Sequence, residues 1–132
     1  MRMKMVAVMM VLMGAVALAV SNAHFVGVPL ISVTGDTVFV SGKVAGLGNV
    51  QQINVTVTGL AECVNRGKNK PAASNKEAFS ASGDFPVQNG KALFQLSLEA
   101  TFEPPCSPPM TVAWSNISVT VTAADGTFLT YP

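Results

Sequence analysis

His24 is the single histidine of this sequence. It follows Ser21-Asn22-Ala23, small residues of the kind a signal peptidase cuts after. A cut at that point puts a free amine and an imidazole on one residue, and paired nitrogen donors suit copper(II). Copper mono-oxygenases that use this device need a second histidine, so His24 promises only an incomplete copper-binding end. The same shortage of imidazole weighs against Ser-His-Asp and Cys-His hydrolysis, which need a positioned base. Seven acidic residues are scattered along the chain. Glu99 and Glu103 are the nearest to a glycosidase pair, but one falls in a strand pattern and the other in a proline loop. The expectation is a protein without catalysis and without a cofactor.

Cys63 and Cys106 are the only cysteines. An even count in an exported chain reads as one disulfide. Closing a loop of about 44 residues stabilises a fold by roughly 4 kcal/mol on a chain-entropy estimate. The spacing matches neither a zinc pattern nor a CxxC redox pair. Arg66, Lys68, Lys70 and Lys76 follow Cys63 and make a local positive patch, and Arg66, Lys68 and Lys70 in the segment 65–75 read as a solvated loop first and as a binding loop for an anionic polymer second. No aromatic is interleaved with them, so nucleic acid is not expected as a partner. Asn54-Val55-Thr56 and Asn116-Ile117-Ser118 match the glycosylation acceptor pattern. Thr56, Thr58, Ser97, Thr101, Ser118, Thr120 and Thr122 put hydroxyls on outward strand faces, where they read first as ordinary exposed sheet and second as a surface for carbohydrate or ice.

The compartment is read from the first 23 residues. Arg2 and Lys4 are a positive start, Met5 to Val20 is an uncharged apolar run, and Ala23 ends the cleavage context. A membrane span needs about 20 such residues, so the run reads as a cleaved secretory signal over residues 1–23. Residues 24–132 then form one domain, long enough to bury roughly 65% of its unfolded surface. No second apolar segment of spanning length follows, so no membrane contact is expected after cleavage. The full chain has eight basic residues and a formal charge of +1. Arg2 and Lys4 leave with the signal, so the mature chain carries no strong field toward nucleic acid or acidic lipid.

Periodicity must then supply the scaffold. Ile53, Val55 and Val57 alternate with Gln52, Asn54, Thr56 and Thr58, and Phe94, Leu96, Leu98, Ala100 and Phe102 alternate with polar residues. Period two marks half-buried strands. Ile117, Val119 and Val121 repeat the pattern on odd positions, whereas Met110, Val112 and Trp114 are even. One slip reverses every side chain, so either the chain bulges near Ser115-Asn116 or Trp114 lies outside the core. Gly35-Asp36, Gly46-Leu47-Gly48-Asn49, Gly83-Asp84, Asn89-Gly90 and Asp125-Gly126 punctuate the strands, and Asn89-Gly90 and Asp125-Gly126 are hairpin signals through positive φ. The expected fold is all-β, an immunoglobulin-like antiparallel sandwich of about seven strands with one disulfide. Cys63 is placed just past a strand and Cys106 in Pro104-Pro105-Cys106-Ser107-Pro108-Pro109, so the bridge is expected to pin two loops at one end.

Three stretches in one order complete the pattern: Ser41-Gly42-Lys43-Val44-Ala45-Gly46-Leu47-Gly48-Asn49, then Cys63-Val64-Asn65-Arg66-Gly67-Lys68-Asn69-Lys70-Pro71, then Gln88-Asn89-Gly90-Lys91-Ala92-Leu93-Phe94. From Ser41 to Thr122 the chain resembles a group of small exported microbial β-sandwich proteins of unknown function. These share a GLGN turn, a Cys-x-Asn-x-Gly-x-Asn loop, an Asn-Gly hairpin and a second Cys. The resemblance implies export, the Cys63–Cys106 pair and the β fold, and it assigns no functional residue. Members of the group place a Trp soon after the second Cys, whereas Trp114 comes later. The functional expectation is a secreted, non-catalytic protein that binds a wall polymer, a matrix component or a protein outside the cell. The alternatives are a secreted effector or enzyme inhibitor presenting the basic loop, and a copper-binding protein using His24.

Overall fold

The computed structural model describes residues 22–65 and 76–132. They form eight strands: β1 His24–Phe25, β2 Leu30–Thr34, β3 Thr37–Ala45, β4 Gln52–Val64, β5 Lys76–Pro86, β6 Ala92–Glu99, β7 Thr111–Thr122 and β8 Phe128–Tyr131. No α-helix occurs among the described residues. Every strand pairing is antiparallel. In one sheet β3 is central, with β6 along one side and β2 then β1 along the other; the second sheet has the order β5-β4-β7-β8.

Eight strands appear where about seven were expected, because the edge beside β3 is broken. Gly27 takes φ of 73° and Pro29 has no N–H to give to a ladder, so pairing stops between Phe25 and Leu30 and then resumes. Val38, Val40, Val44, Phe94 and Leu98 from the first sheet meet Ile53, Val55, Val57, Val119 and Val121 from the second in one buried layer. Ile53, Val55, Val57, Phe94, Leu98, Val119 and Val121 are the ones that alternation assigns to the inner faces, and the burial of the whole layer is the main favourable term of the fold.

The bulge near Ser115-Asn116 is present. Thr58 pairs with Ser118 and Leu60 with Ser115, so Gly59 alone opposes Asn116 and Ile117. Asn116 absorbs the extra residue at φ of 54°. Val112 and Trp114 on one side of the slip, and Val119 and Val121 on the other, therefore all turn inward. Trp114 is half-buried and packs on both core clusters. Its ring lies 6.2 Å from that of Phe79, and its Nε1–H donates to the Gly35 carbonyl at 3.2 Å. Gly59 is what lets the indole in: a Cβ there would sit 3.1 Å from the ring.

Two local expectations need correction. Cys63 lies inside β4, paired with Val112, so the Cys63–Cys106 disulfide ties a strand end to a loop and not a loop to a loop. The inward alternation of β4 simply continues through Ala61 and Cys63, which carries the ladder further than turn residues suggested. At Asp125-Gly126 only Gly126 takes positive φ. Gly126 N–H donates to the Ala123 carbonyl and Ala123 N–H to that of Thr127, giving a three-residue connection. Asp125 is held back by its carboxylate, which accepts from the Thr127 N–H at 2.9 Å and the Thr127 hydroxyl at 2.6 Å.

Asn89-Gly90 does form the two-residue hairpin, with φ of 55° and 75° and reciprocal backbone bonds between Gln88 and Lys91. The Leu47 N–H also donates to the Gly90 carbonyl at 2.9 Å, coupling this hairpin to the GLGN turn. Gly90→Ala is expected to destabilise the protein by about 1–2 kcal/mol through left-handed strain. Chemical unfolding with an unchanged m-value checks it.

Candidate functional site

Three regions of the sandwich gather polar groups. The first is the outer face of β5-β4-β7-β8. Val55, Val57, Val119 and Val121 are fully buried, so the residues between them must point out. In register across four strands stand Ser82, Thr56, Thr120 and Thr130, and the next row is Ser80, Thr58 and Ser118. Neighbouring strands stand about 4.8 Å apart and alternate residues on a strand about 6.8 Å apart, which gives the hydroxyls a regular lattice. No charged side chain lies between these rows. Asp84 bounds them on one side, and Glu62 opposite Lys76 on the other. Thr122 extends the array, flanked by Asn54 and by Phe128, which is 67% exposed.

Sequence reading found Thr56, Thr58, Ser118, Thr120 and Thr122 but missed Ser80, Ser82 and Thr130. The signal was present: Phe79, Ala81, Gly83 and Phe85 alternate with polar residues, but the small ones among them carry little hydrophobic weight. Thr130 belongs to a four-residue strand, too short to show a period. Ser97 lies on the other sheet and Thr101 beyond β6, so neither joins the array.

The second region is the end formed by the GLGN turn and the Asn-Gly hairpin. A cavity of about 690 Å³ is lined there by Gly46, Gly48, Asn49, Gln51, Asn89 and Gly90, among others. Val50 and Val87 complete its walls with apolar surface, and Lys91 is the one charged residue among the described lining. The third region is the opposite end, where Asp36, Glu99 and Cys106 border a smaller cavity of about 250 Å³. Met110 Sδ lies 3.7 Å from Cys63 Sγ there, and Ala61, Cys63, Ala100 and Phe102 make a second small core.

The remaining candidates are dispersed. His24 sits on β1 opposite Ala45, and in the uncut chain its Nδ1 bonds the Asn22 carbonyl at 2.7 Å. No group of three His, Cys, Asp or Glu side chains converges on a metal position among the described residues. Glu99 closes β6 while Glu103 follows in the proline segment. Asn54 lies on the central strand β4 with its amide engaged: Nδ2 donates to Asp84 at 3.0 Å, and Oδ1 accepts from the Thr56 hydroxyl at 3.2 Å. Asn116 is exposed at the bulge. Arg66, Lys68 and Lys70 lie outside the described residues, and Lys76 opens β5. No described helix is long and apolar enough to cross a membrane. Comparison with known proteins finds no family model, no characterised relative and no solved structure that matches the chain.

Proposed function

We propose that this is a secreted, non-catalytic binding protein that grips a neutral, hydroxyl-bearing wall or matrix polymer with the outer face of β5-β4-β7-β8. The registered rows of uncharged hydroxyls carry the reading. A hydroxyl both donates and accepts, so a repeating set of them suits a ligand that repeats the same groups. The face lacks the charge that would select an anionic partner, and nucleic acid would demand a basic surface. The leader sequence and the disulfide support export. The strand order supports an immunoglobulin-like plan, with β1 and β2 as one split edge, β3 and β6 completing that sheet, and β5-β4-β7-β8 opposing it. In such sandwiches the edges and faces present the ligand surface while the core stays inert.

Co-sedimentation of the secreted protein with insoluble wall polysaccharide tests the proposal. Thr58→Lys with Thr130→Lys, both exposed in the array, is expected to weaken retention at least tenfold, because two ammonium groups must be desolvated against neutral hydroxyls. Thermal unfolding of the variant should stay within a few degrees, since exposed substitutions have small effects. Retention equal to that of the unmodified protein, or none of the unmodified protein on any wall polymer, would refute the reading.

A further inference from the structure

The opposite face of the sandwich has a different character. Counting outward positions of the β1/β2-β3-β6 sheet, one row holds Val26, Lys43 and Leu93, the next Leu30, Ser41 and Gln95, and the next Ser32, Phe39 and Ser97. Val26 is 47%, Phe39 48%, Leu30 69% and Leu93 71% exposed, and Val28 borders them at 71%. Among the described residues Phe128 is the one large apolar side chain so exposed on the opposite sheet. An apolar cluster this concentrated on one face of a small domain marks an interaction surface.

Its charges identify the partner. Lys43 and Lys91 lie at one end of the face, together lining a cavity of about 350 Å³ with Leu93. Asp36 and Glu99 lie at the other end, together lining the cavity near Cys106. The face is thus basic at one end, apolar in the middle and acidic at the other. Turned by a two-fold axis that lies in the interface and crosses the strands, it becomes complementary to itself: each basic end meets the partner's acidic end, and apolar meets apolar. An isologous contact needs this self-complementarity. A two-fold axis parallel to the strands would instead set Lys43 against Lys43.

We infer that two copies of this chain pair face to face through the β1/β2-β3-β6 sheets, with their strands running in opposite directions. Three strands about 4.8 Å apart and seven residues long make a footprint of roughly 14 by 24 Å. Over both copies that is roughly 700 Å², below the roughly 1,200 Å² at which standard specific interfaces begin, so the contact is a weak, transient one and the dimer dissociates at about 100 μM. Both hydroxyl faces then point outward from a bivalent particle, but the pairing stands independently of what those faces bind.

Sedimentation velocity of the secreted, disulfide-bonded protein from about 1 to about 500 μM tests the inference. The unmodified protein should shift from monomer to dimer across that range. Leu30→Asp with Leu93→Asp should remain monomeric throughout. A charge exchange tests the orientation and does not depend on the apolar variant folding. Lys43→Glu with Lys91→Glu makes one variant's face acidic at both ends, and Asp36→Lys with Glu99→Lys makes the other's basic at both ends. Each alone should self-associate at least tenfold more weakly than the unmodified protein, and an equimolar mixture should recover the dimer. A monomer at the highest concentration, a dimer that persists in the leucine variant, or a mixture that fails to associate would each overturn the inference.

Discussion

Removal of the disulfide by Cys63→Ala with Cys106→Ala is expected to lower the thermal midpoint by about 15–30 °C. The bridge spans 43 positions of sequence. On the chain-entropy account, opening a loop of that size releases denatured-state freedom worth roughly 4 kcal/mol, and losses of 2–5 kcal/mol are usual in small secreted domains. A shift of about 4–8 °C per kcal/mol applies to domains near this size. The position of the bridge adds to the effect. Cys63 is 2% exposed at the end of β4, in a small cluster with the buried Ala61, Ala100 and Phe102. Cys106 belongs to the segment that carries the chain from β6 in one sheet to β7 in the other. Without the bond, that crossing is held at this end by Phe102, Met110 and Trp114. Differential scanning calorimetry of the double variant against the oxidised protein checks the size. A shift under about 4 °C would mean the small cluster holds this end unaided.

The second large effect is expected at Trp114. Trp114→Ala should cost about 3–4 kcal/mol, in the range for emptying a large aromatic site. The indole spans both core clusters, contacts Phe79 edge to face at 63° and bonds the Gly35 carbonyl on the far sheet. It thus joins β7 to the β2–β3 turn. Trp114→Phe keeps most of the apolar volume but loses the Nε1–H, so it should recover roughly half of the loss. Urea unfolding of both variants, read by circular dichroism, separates packing from the hydrogen bond. Equal losses for alanine and phenylalanine would place the whole contribution in the bond to Gly35.

Much of this follows from alternation. Val55, Val57, Phe94, Leu98, Val119 and Val121 sit where period two places them, because a pleated strand with one dry face allows no other assignment. The parity change between Trp114 and Ile117 was legible for the same reason: two inward sets of opposite parity require one surplus residue, and Asn116 tolerates the backbone shape it needs. Turn chemistry was less decisive. Asn89-Gly90 closed as expected, whereas Asp125 found a better partner in Thr127 than in its own positive φ.

The functional surface was legible only in fragments. Each strand showed its hydroxyls, but whether Thr56 stands beside Thr120 or beside Ser97 depends on which strands pair. That choice is made by long-range burial and not by neighbours in sequence. The amino-acid sequence alone determined the inner and outer sides of β4, β6 and the end of β7, the break in parity near Ser115-Asn116 and the availability of one cysteine pair, since all three rest on local pattern and count. Only the tertiary structure decided that β4 lies between β5 and β7, which assembles the hydroxyl rows on one sheet. It also left Leu30, Phe39 and Leu93 uncovered on the other, because a single sandwich buries two of its four faces and must leave two to water or to a partner.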